Sequence, residues 1–452
     1  MAVVIKGSGK KAADPGWSEI KDHYDLGMSL ALPFQRQWLL NLSFLAGRQY
    51  SFYNTSIEAL QNLTSLSGRI RLVNNKLIPR YRKQVSRLIR NRPIVSCVPS
   101  TNEDEDIEAA RIGTKVLKGF WSSDRLQSKL RRLGGWIYAC GNAFLDDRWD
   151  AKKGPTEVRD GVLTYMGDAT CGVWTPFDIL VPSYGLNDGV IHEMPWMMKV
   201  RRRSLEYFPR QWGRTGERVM SEGIAKYPVD AAILGLGLGS GLGGSKLDQA
   251  VEMQLYIQPC SKYPRGLYRV GANGVVFTEE DYPFDYYHIE HFKDIEIPGV
   301  FWGMATTEPG IWLQKQWNST LSDIAEFNHV MGRGKWLIPR GCAIQSNVNN
   351  TIGQTIEYTP QLGHKPEHVT LKNLPVSYQI MLQQLSQEFM ELYYQHEVTE
   401  GTNKSDIRSA EMVQVLLEQD DYGNIPTHAV FEESLECVFS RILKRIQKGY
   451  TQ

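Results

Sequence analysis

The feature that most limits what this chain can fold into lies between Pro309 and Val398, where two amphipathic helical patterns flank a proline-bounded insert. Residues 310–338 contain no proline and set Leu313, Trp317, Leu321, Ile324, Phe327 and Met331 at steps of three and four, the spacing of one helical face. Residues 377–397 repeat the pattern with Leu382, Leu385, Phe389 and Leu392. Pro339 and Pro375 close off the insert, because proline lacks the backbone donor and clashes with the preceding helical turn. The expected form is a hairpin of two helical arms with a small module at its tip, suited to stacking copies side by side.

The rest of the chain sets this hairpin in a larger body. Its 452 residues are enough for two or three compact regions with their own cores. No apolar run approaches the roughly 20 residues that cross a bilayer. The opening MAVVIKGSGKKAADPG carries lysines with no apolar stretch after them, so it reads as a polar arm and not a signal peptide. Cys97, Cys140, Cys171, Cys260, Cys342 and Cys437 are far apart with no C-x-x-C pair, which argues against metal knuckles and disulfide scaffolds and for buried, reduced thiols.

A net charge of +1 hides an asymmetry. Residues 61–102 contain no acid but include Arg69, Arg71, Lys76, Arg80, Arg82, Lys83, Arg87, Arg90 and Arg92. A second basic cluster is Lys199, Arg201, Arg202 and Arg203. Such runs either bind phosphate backbones or acidic neighbours, or form solvated faces paired with acids from elsewhere in the fold.

Local patterns predict helices over 33–50 (Trp38, Leu42 and Leu45 inward, ended by Gly47), over 74–91 with Pro79 in its first turn or at a kink, and over 126–140. A helix after IVSCVP, itself strand-like, should be capped by Thr101 or Asn102 with acids at its positive end. From Asn142 to about Pro309 the chain turns rich in Gly, Pro, Trp and Tyr with alternating runs such as YRVGANGVVF, which are strand and turn signals. The glycine-rich stretch 232–246 resembles a phosphate loop, but Ser245 precedes Lys246 where a P-loop needs the reverse order, so it reads as a surface loop. Near the end, Met412, Val415 and Leu416 lie on one helix, and residues 429–448 form a last one with Phe431, Leu435, Val438, Phe439 and Ile442 inward.

Catalytic signatures are missing from the pattern. His192-Glu193 begins like a zinc-protease motif, with no second histidine at helical spacing. His288 and His291 lack further ligands nearby and read as packing or surface histidines. No G-x-S-x-G elbow is present. The expectation is no intrinsic enzyme, no cofactor and no metal.

Several blocks, taken in order, point to a family. They are WLLNLSFLAGRQY, the run from LVNNKLIPRYRK to NEDEDIEAA, GNAFLDDRWD, MQLYIQPCSKYPRGLYRVGANGVVF, LQKQWNSTLSDIAEFNHVMGRGKWLIPRG, IGQTIEYTP and SDIRSAEMVQVLLEQDD. Together they resemble portal proteins of tailed bacteriophages, particularly short-tailed ones. The resemblance implies an α+β portal-type fold with a helical and β-rich wing, two long stem helices and a small α/β clip. It also implies assembly as a ring, commonly of twelve subunits, at one capsid vertex of the virion after synthesis in the host cytoplasm. Double-stranded DNA would pass through the axial channel during packaging and ejection. Implied partners are further copies of the chain, the terminase motor, head–tail adaptor and tail proteins, and major capsid and scaffold proteins. No membrane span is expected.

Mapped here, residues 1–141 would be the N-terminal arm and helical wing, 142–309 the β-rich wing, 310–338 and 377–397 the stem and 339–376 the clip. A channel loop would follow at 398–409, then wing helices to 452. Family members usually continue into further wing strands and a crown, which the expected architecture leaves out because the chain given stops at Gln452. In the channel loop Asn403, Lys404 and Arg408 would reach DNA phosphates, or Arg408 would pair with an acid of the adjacent subunit. Off the apolar stripe of the first arm, Gln314, Asn318 and Asn328 are expected to face water or DNA. Two other readings remain: a different virion ring such as a head–tail adaptor or collar, and, third, a virion-associated enzyme.

Overall fold

The fold is described from a computed structural model. It covers residues 14–54, 59–62, 70–90, 93–159, 162–183, 189–222, 248–332, 335–337, 367–369, 375–393 and 422–450. The described residues form an α+β molecule of eight α-helices and several antiparallel sheets. The expected channel loop 398–409, the glycine-rich stretch 232–246, the helix around Met412 and most of the expected clip lie outside the described residues.

Helix α1 (Trp17–Leu45) is far longer than the expected 33–50 and carries Pro33 in its interior. Proline there costs about 3 kcal/mol in an isolated helix, so packing must outweigh it. Ile20 and Ala31 lie in one apolar core, Trp38 and Leu39 in a second. Gly27 sits so close to the five-stranded sheet that a Cβ would come within 2.9 Å of Leu180 Cβ. After a short hairpin, β1 (Ser51–Asn54) and β2 (Ala59–Asn62), comes α2 (Leu77–Arg90), with Pro79 in its first turn as expected. The IVSCVP run forms no strand. There the Cys97 amide donates to Thr114 Oγ1 on the following helix instead of to a neighbouring strand.

Helix α3 (Asp104–Ser123) begins at Glu103 without a side-chain cap, because Thr101 is engaged with Asp106 Oδ2 at 2.6 Å. Helix α4 (Leu126–Cys140) ends at Gly141, whose φ of +76° favours glycine and places its backbone against Gly303 and Met304. From Asn142 the chain becomes strands. These are β3 (Asn142–Asp150), β4 (Thr156–Arg159), β5 (Val162–Tyr165), β6 (Asp168–Trp174), β7 (Ile179–Leu180) and β8 (Trp196–Ser204). Helix α5 (Tyr207–Gly216) follows, then β9 (Gln249–Ile257), β10 (Leu267–Ala272), β11 (Val275–Glu280) and β12 (Ile289–Lys293). The sheets run β11-β10-β9-β8-β7 and β12-β3-β6, with β4 and β5 paired apart. Asn273 and Gly274, at φ +41° and +87°, make the two-residue turn joining β10 to β11, which is the backbone an Asn-Gly hairpin demands.

The second basic cluster is a structural seam. Lys199 of β8 is buried 3.4 Å from Asp146 of β3, Arg201 lies 3.6 Å from Asp178 and over the Trp174 ring, and Arg203 pairs with Glu252 at 3.0 Å. The cysteines divide. Cys140 and Cys171 are buried, but Cys260 and Cys437 are exposed and Cys97 is half-buried, so burial does not hold for all of them.

The chain closes with α6 (Gly310–Gly332), β13 (Lys335–Leu337), β14 (Glu367–Val369), α7 (Val376–Leu392) and α8 (Ile425–Tyr450). Helix α8 starts four residues before the expected helix, with Pro426 in its first turn. It buries Phe431, Leu435, Val438, Phe439 and Ile442 against α4 and the three-stranded sheet. No helix among the described residues is long and apolar enough to cross a membrane.

Candidate functional site

The two arms do form a packed antiparallel pair. Gly310, opening α6, lies against Tyr393, just past α7, so closely that a Cβ there would clash with the Tyr393 hydroxyl. Further along, the Trp317 and Phe389 rings meet edge to face at 6.4 Å, and the Thr320 hydroxyl reaches Met381 Sδ at 3.8 Å. Beyond the helices, β13 and β14 pair antiparallel from Lys335↔Val369 to Leu337↔Glu367, so the chain enters and leaves the insert side by side. Both arms are shorter than expected. Helix α6 has 23 residues and α7 has 17, which gives lengths of about 35 and 26 Å.

Gln314 and Asn318 do not face water. They are 0% and 1% exposed and, with Ser322, form a polar stripe that holds the segment entering α2. The Lys76 amide donates to Gln314 Oε1 at 2.8 Å, the Asn74 amide to Asn318 Oδ1 at 3.1 Å, and the Leu72 amide to Ser322 Oγ at 2.9 Å. Gln314 Nε2 returns a bond to the Asn74 carbonyl at 2.8 Å. The match is metric. Four residues of helix rise about 6 Å, close to the roughly 6.6 Å that two residues of extended chain cover, so steps of four on α6 meet steps of two on 72–76. Asn328 is exposed. The outward face of α6 instead carries Trp312, Gln316, Ser319 and Asp323.

Residues around the stripe complete a joint that the sequence reading missed. Tyr50 hydrogen-bonds Ser322 Oγ at 2.9 Å and the Leu72 carbonyl at 3.0 Å. Asn75 Nδ2 donates to the Phe44 and Leu45 carbonyls at the end of α1, while its Oδ1 accepts from the Leu77 and Ile78 amides that open α2. Lys76 lies over the Trp317 ring at 4.8 Å and Arg80 over Phe389 at 4.9 Å. A legible trace existed: Gln314, Asn318 and Ser322 are four apart, and a polar stripe on a mostly apolar helix needs buried partners.

The foot of α6 is fixed by Asp294, which follows β12. Its Oδ2 accepts from both the Thr306 amide and hydroxyl at 2.6 Å, and Thr427, in the first turn of α8, donates to its backbone oxygen at 3.1 Å. Burial pushes the Asp294 carboxyl up to about 7, against the hydrogen bonds that favour its charge.

The histidines are packing elements. His192 Nε2 lies 3.2 Å from Glu290, and His291 is buried, bonded to Asn142 Oδ1 at 2.9 Å and stacked on Phe144. His288 lies 3.6 Å from Asp147, which also receives Arg441 and Arg445 of α8 at 2.8 and 2.7 Å. Burial would raise Asp147, but His288 and the two guanidiniums outweigh it and hold the carboxyl at about 2. Among the described residues no group of three His, Cys, Asp or Glu side chains is placed to hold a metal. The expected DNA contacts Asn403, Lys404 and Arg408 lie outside the described residues. Compared with known proteins, the chain matches no family model and none of the curated proteins.

Proposed function

We propose that this chain is a portal-type subunit: copies form a ring around a channel for double-stranded DNA, with α6 and α7 as its stem and the β13–β14 insert as its clip. The observation that supports this most directly is the antiparallel helix pair that leads at its far end into the paired strands β13 and β14 and is anchored at its near end to the rest of the fold. One flank of the pair is packed internally, while Trp312 (72% exposed), Val376 (66%) and Ile380 (50%) remain on the surface, apolar area that a neighbouring stem would cover.

Charge fits the same reading. Lys315 is the one Lys or Arg on α6 and α7, and it is half-buried over Phe44 and Trp312. Exposed polar positions on the pair include Gln316, Ser319, Asp323, Gln383, Gln387 and Glu388. Each cation on a channel wall adds a phosphate contact and slows a sliding duplex, so a wall of neutral and acidic groups lets DNA pass. Grip would come from the loop holding Asn403, Lys404 and Arg408. In this reading the ring also docks the terminase motor, tail adaptor, capsid and scaffold at the vertex of the virion, and hydrolyses nothing itself.

End-on electron micrographs and native mass measurement of the purified full chain test this. The expected result is a closed ring of fixed stoichiometry with an open axis. Monomers at every concentration, or ATP hydrolysis by the pure chain, overturn it. In assembled particles, Lys404→Ala with Arg408→Ala should leave the ring intact and impair DNA packaging or retention.

A further inference from the structure

Helix α3 is half naked. None of residues 104–116 is buried, whereas Leu117, Phe120 and Trp121 at its other end are. Ile107 and Ile112 stand 46% and 54% exposed on it. The extended run at its side leaves Ile94 90% and Val98 85% exposed, while Cys97 rests against Gly113. An open hollow of about 570 Å³ lies between Ile94 and the last two turns of α3.

The start of the naked half is acidic, ahead of the exposed Arg111 and Lys115: Glu103, Asp104, Glu105 and Glu108 are all exposed and make no ion pair among the described residues. The opposite charge lies on the α2–α4 pair. Neither helix contains an acid, and Arg82, Arg90 and Arg131 are exposed without a carboxylate partner among the described residues. The two helices are joined at Gln127 Nε2→Ile89 O and Tyr81 OH→Gly135 O, so Arg131, one turn after Gln127, lies on the α2 side. Within one copy the two charges stay apart. Leu117 and Trp121 share a core with α4, while the acids begin at the other end of a 20-residue helix about 30 Å long.

We infer that the acidic half of α3 in one copy docks on the basic α2–α4 face of the next copy, covering the exposed isoleucines as it does so. The two surfaces differ, so the contact is heterologous. Each bound copy still offers one free surface of each kind, and association continues until the rotation closes a ring. This names a subunit interface for the ring proposed above and rests on that reading for closure. A polyanion is the competing occupant of the basic face.

Charge reversal separates the outcomes. Glu105→Lys with Glu108→Lys, and separately Arg82→Glu with Arg131→Glu, are made in the full chain at exposed positions, and thermal unfolding checks that both variants fold. Sedimentation velocity at about 0.1 M salt, where surface charges still act over about 10 Å, then reads assembly. Each variant alone should associate about tenfold or more weakly than the unaltered chain. Their equimolar mixture should recover assembly, because each reversed surface then meets its opposite. Unchanged assembly of the Arg82→Glu/Arg131→Glu chain, or failure of the mixture to recover, overturns the interface and leaves the portal reading standing. A short DNA duplex that binds the unaltered ring and is lost only with Arg82→Glu/Arg131→Glu assigns the basic face to nucleic acid and overturns it likewise. An unaltered chain that stays monomeric sinks the ring and the interface together.

Discussion

Asp294 and Asp147 are both buried acids, yet their surroundings drive them in opposite directions, and the difference is readable as pH dependence. Asp294 faces hydroxyls and an amide with no cation bonded to it among the described residues, so desolvation dominates and pushes its carboxyl up from the ordinary 3.8 to about 7. Between those values the unfolded chain has released the proton and the folded chain still holds it. Stability therefore falls as pH rises through the window, by up to about 4 kcal/mol at about 1.4 per pH unit. Asp147, bound by Arg441 and Arg445, works the other way: its stabilisation is present above about 4 and is lost as pH falls toward 2. Asp294→Asn keeps an oxygen for Thr306 and lets the Thr427 hydroxyl accept from the new amide. Thermal unfolding from pH 4 to 8 should show a flatter profile for the variant and a higher melting temperature than the unaltered chain at pH 8. Parallel profiles would show that Asp294 is ionised throughout.

Helix α6 has two kinds of polar residue, and only position relative to the rest of the chain separates them. Gln314→Leu leaves the Lys76 amide and the Asn74 carbonyl without their partner, which should cost about 2–4 kcal/mol. Gln316→Leu, two residues on but exposed, should stay within about 0.5 kcal/mol of the unaltered chain. Urea unfolding of the two single variants makes the comparison, and equal effects would remove the stripe as an anchor. The same contrast explains what was legible in the sequence. Elements set by local chemistry were: α4 spans Leu126–Cys140, the range its pattern predicts, and the inward face of α8 is the one its spacing gives. Gln314 and Asn318 were misassigned because helical periodicity separates polar from apolar positions but not water from a buried partner some 240 residues away in the chain. The unbroken α1 was missed for a related reason, since its sheet contacts outweigh a proline that local rules treat as a boundary. The pairing of the two arms was readable. The loop expected to grip DNA was a reading from resemblance, and its residues fall outside those described.

At the scale of the molecule, the described residues form packed cores to which the α6–α7 pair is joined. Helices α1 and α4 share cores with both larger sheets and α8 with the three-stranded one, so the body holds together through side chains drawn from Trp17 to Ile446. The α6–α7 pair leans on this body through the 72–76 segment and Asp294, and at its other end narrows to the two strands β13 and β14. That narrowing makes the insert separable. Leu337 pairs directly with Glu367, so a two-residue Asn-Gly turn in place of residues 338–366 satisfies the geometry of a two-residue hairpin closed by that pair. The anchoring contacts of α6 and α7 seen among the described residues run through the 72–76 segment, Asp294 and the core around Phe44 and Trp317. The shortened chain should therefore unfold within a few degrees of the full chain and form the same oligomer by native mass measurement. If the insert is the clip of a portal-type ring, as proposed, particles carrying the shortened chain should fail to engage the motor or tail. Loss of oligomer formation on this replacement would mean that the insert, and not the stem and the α3 contact, holds neighbouring copies together.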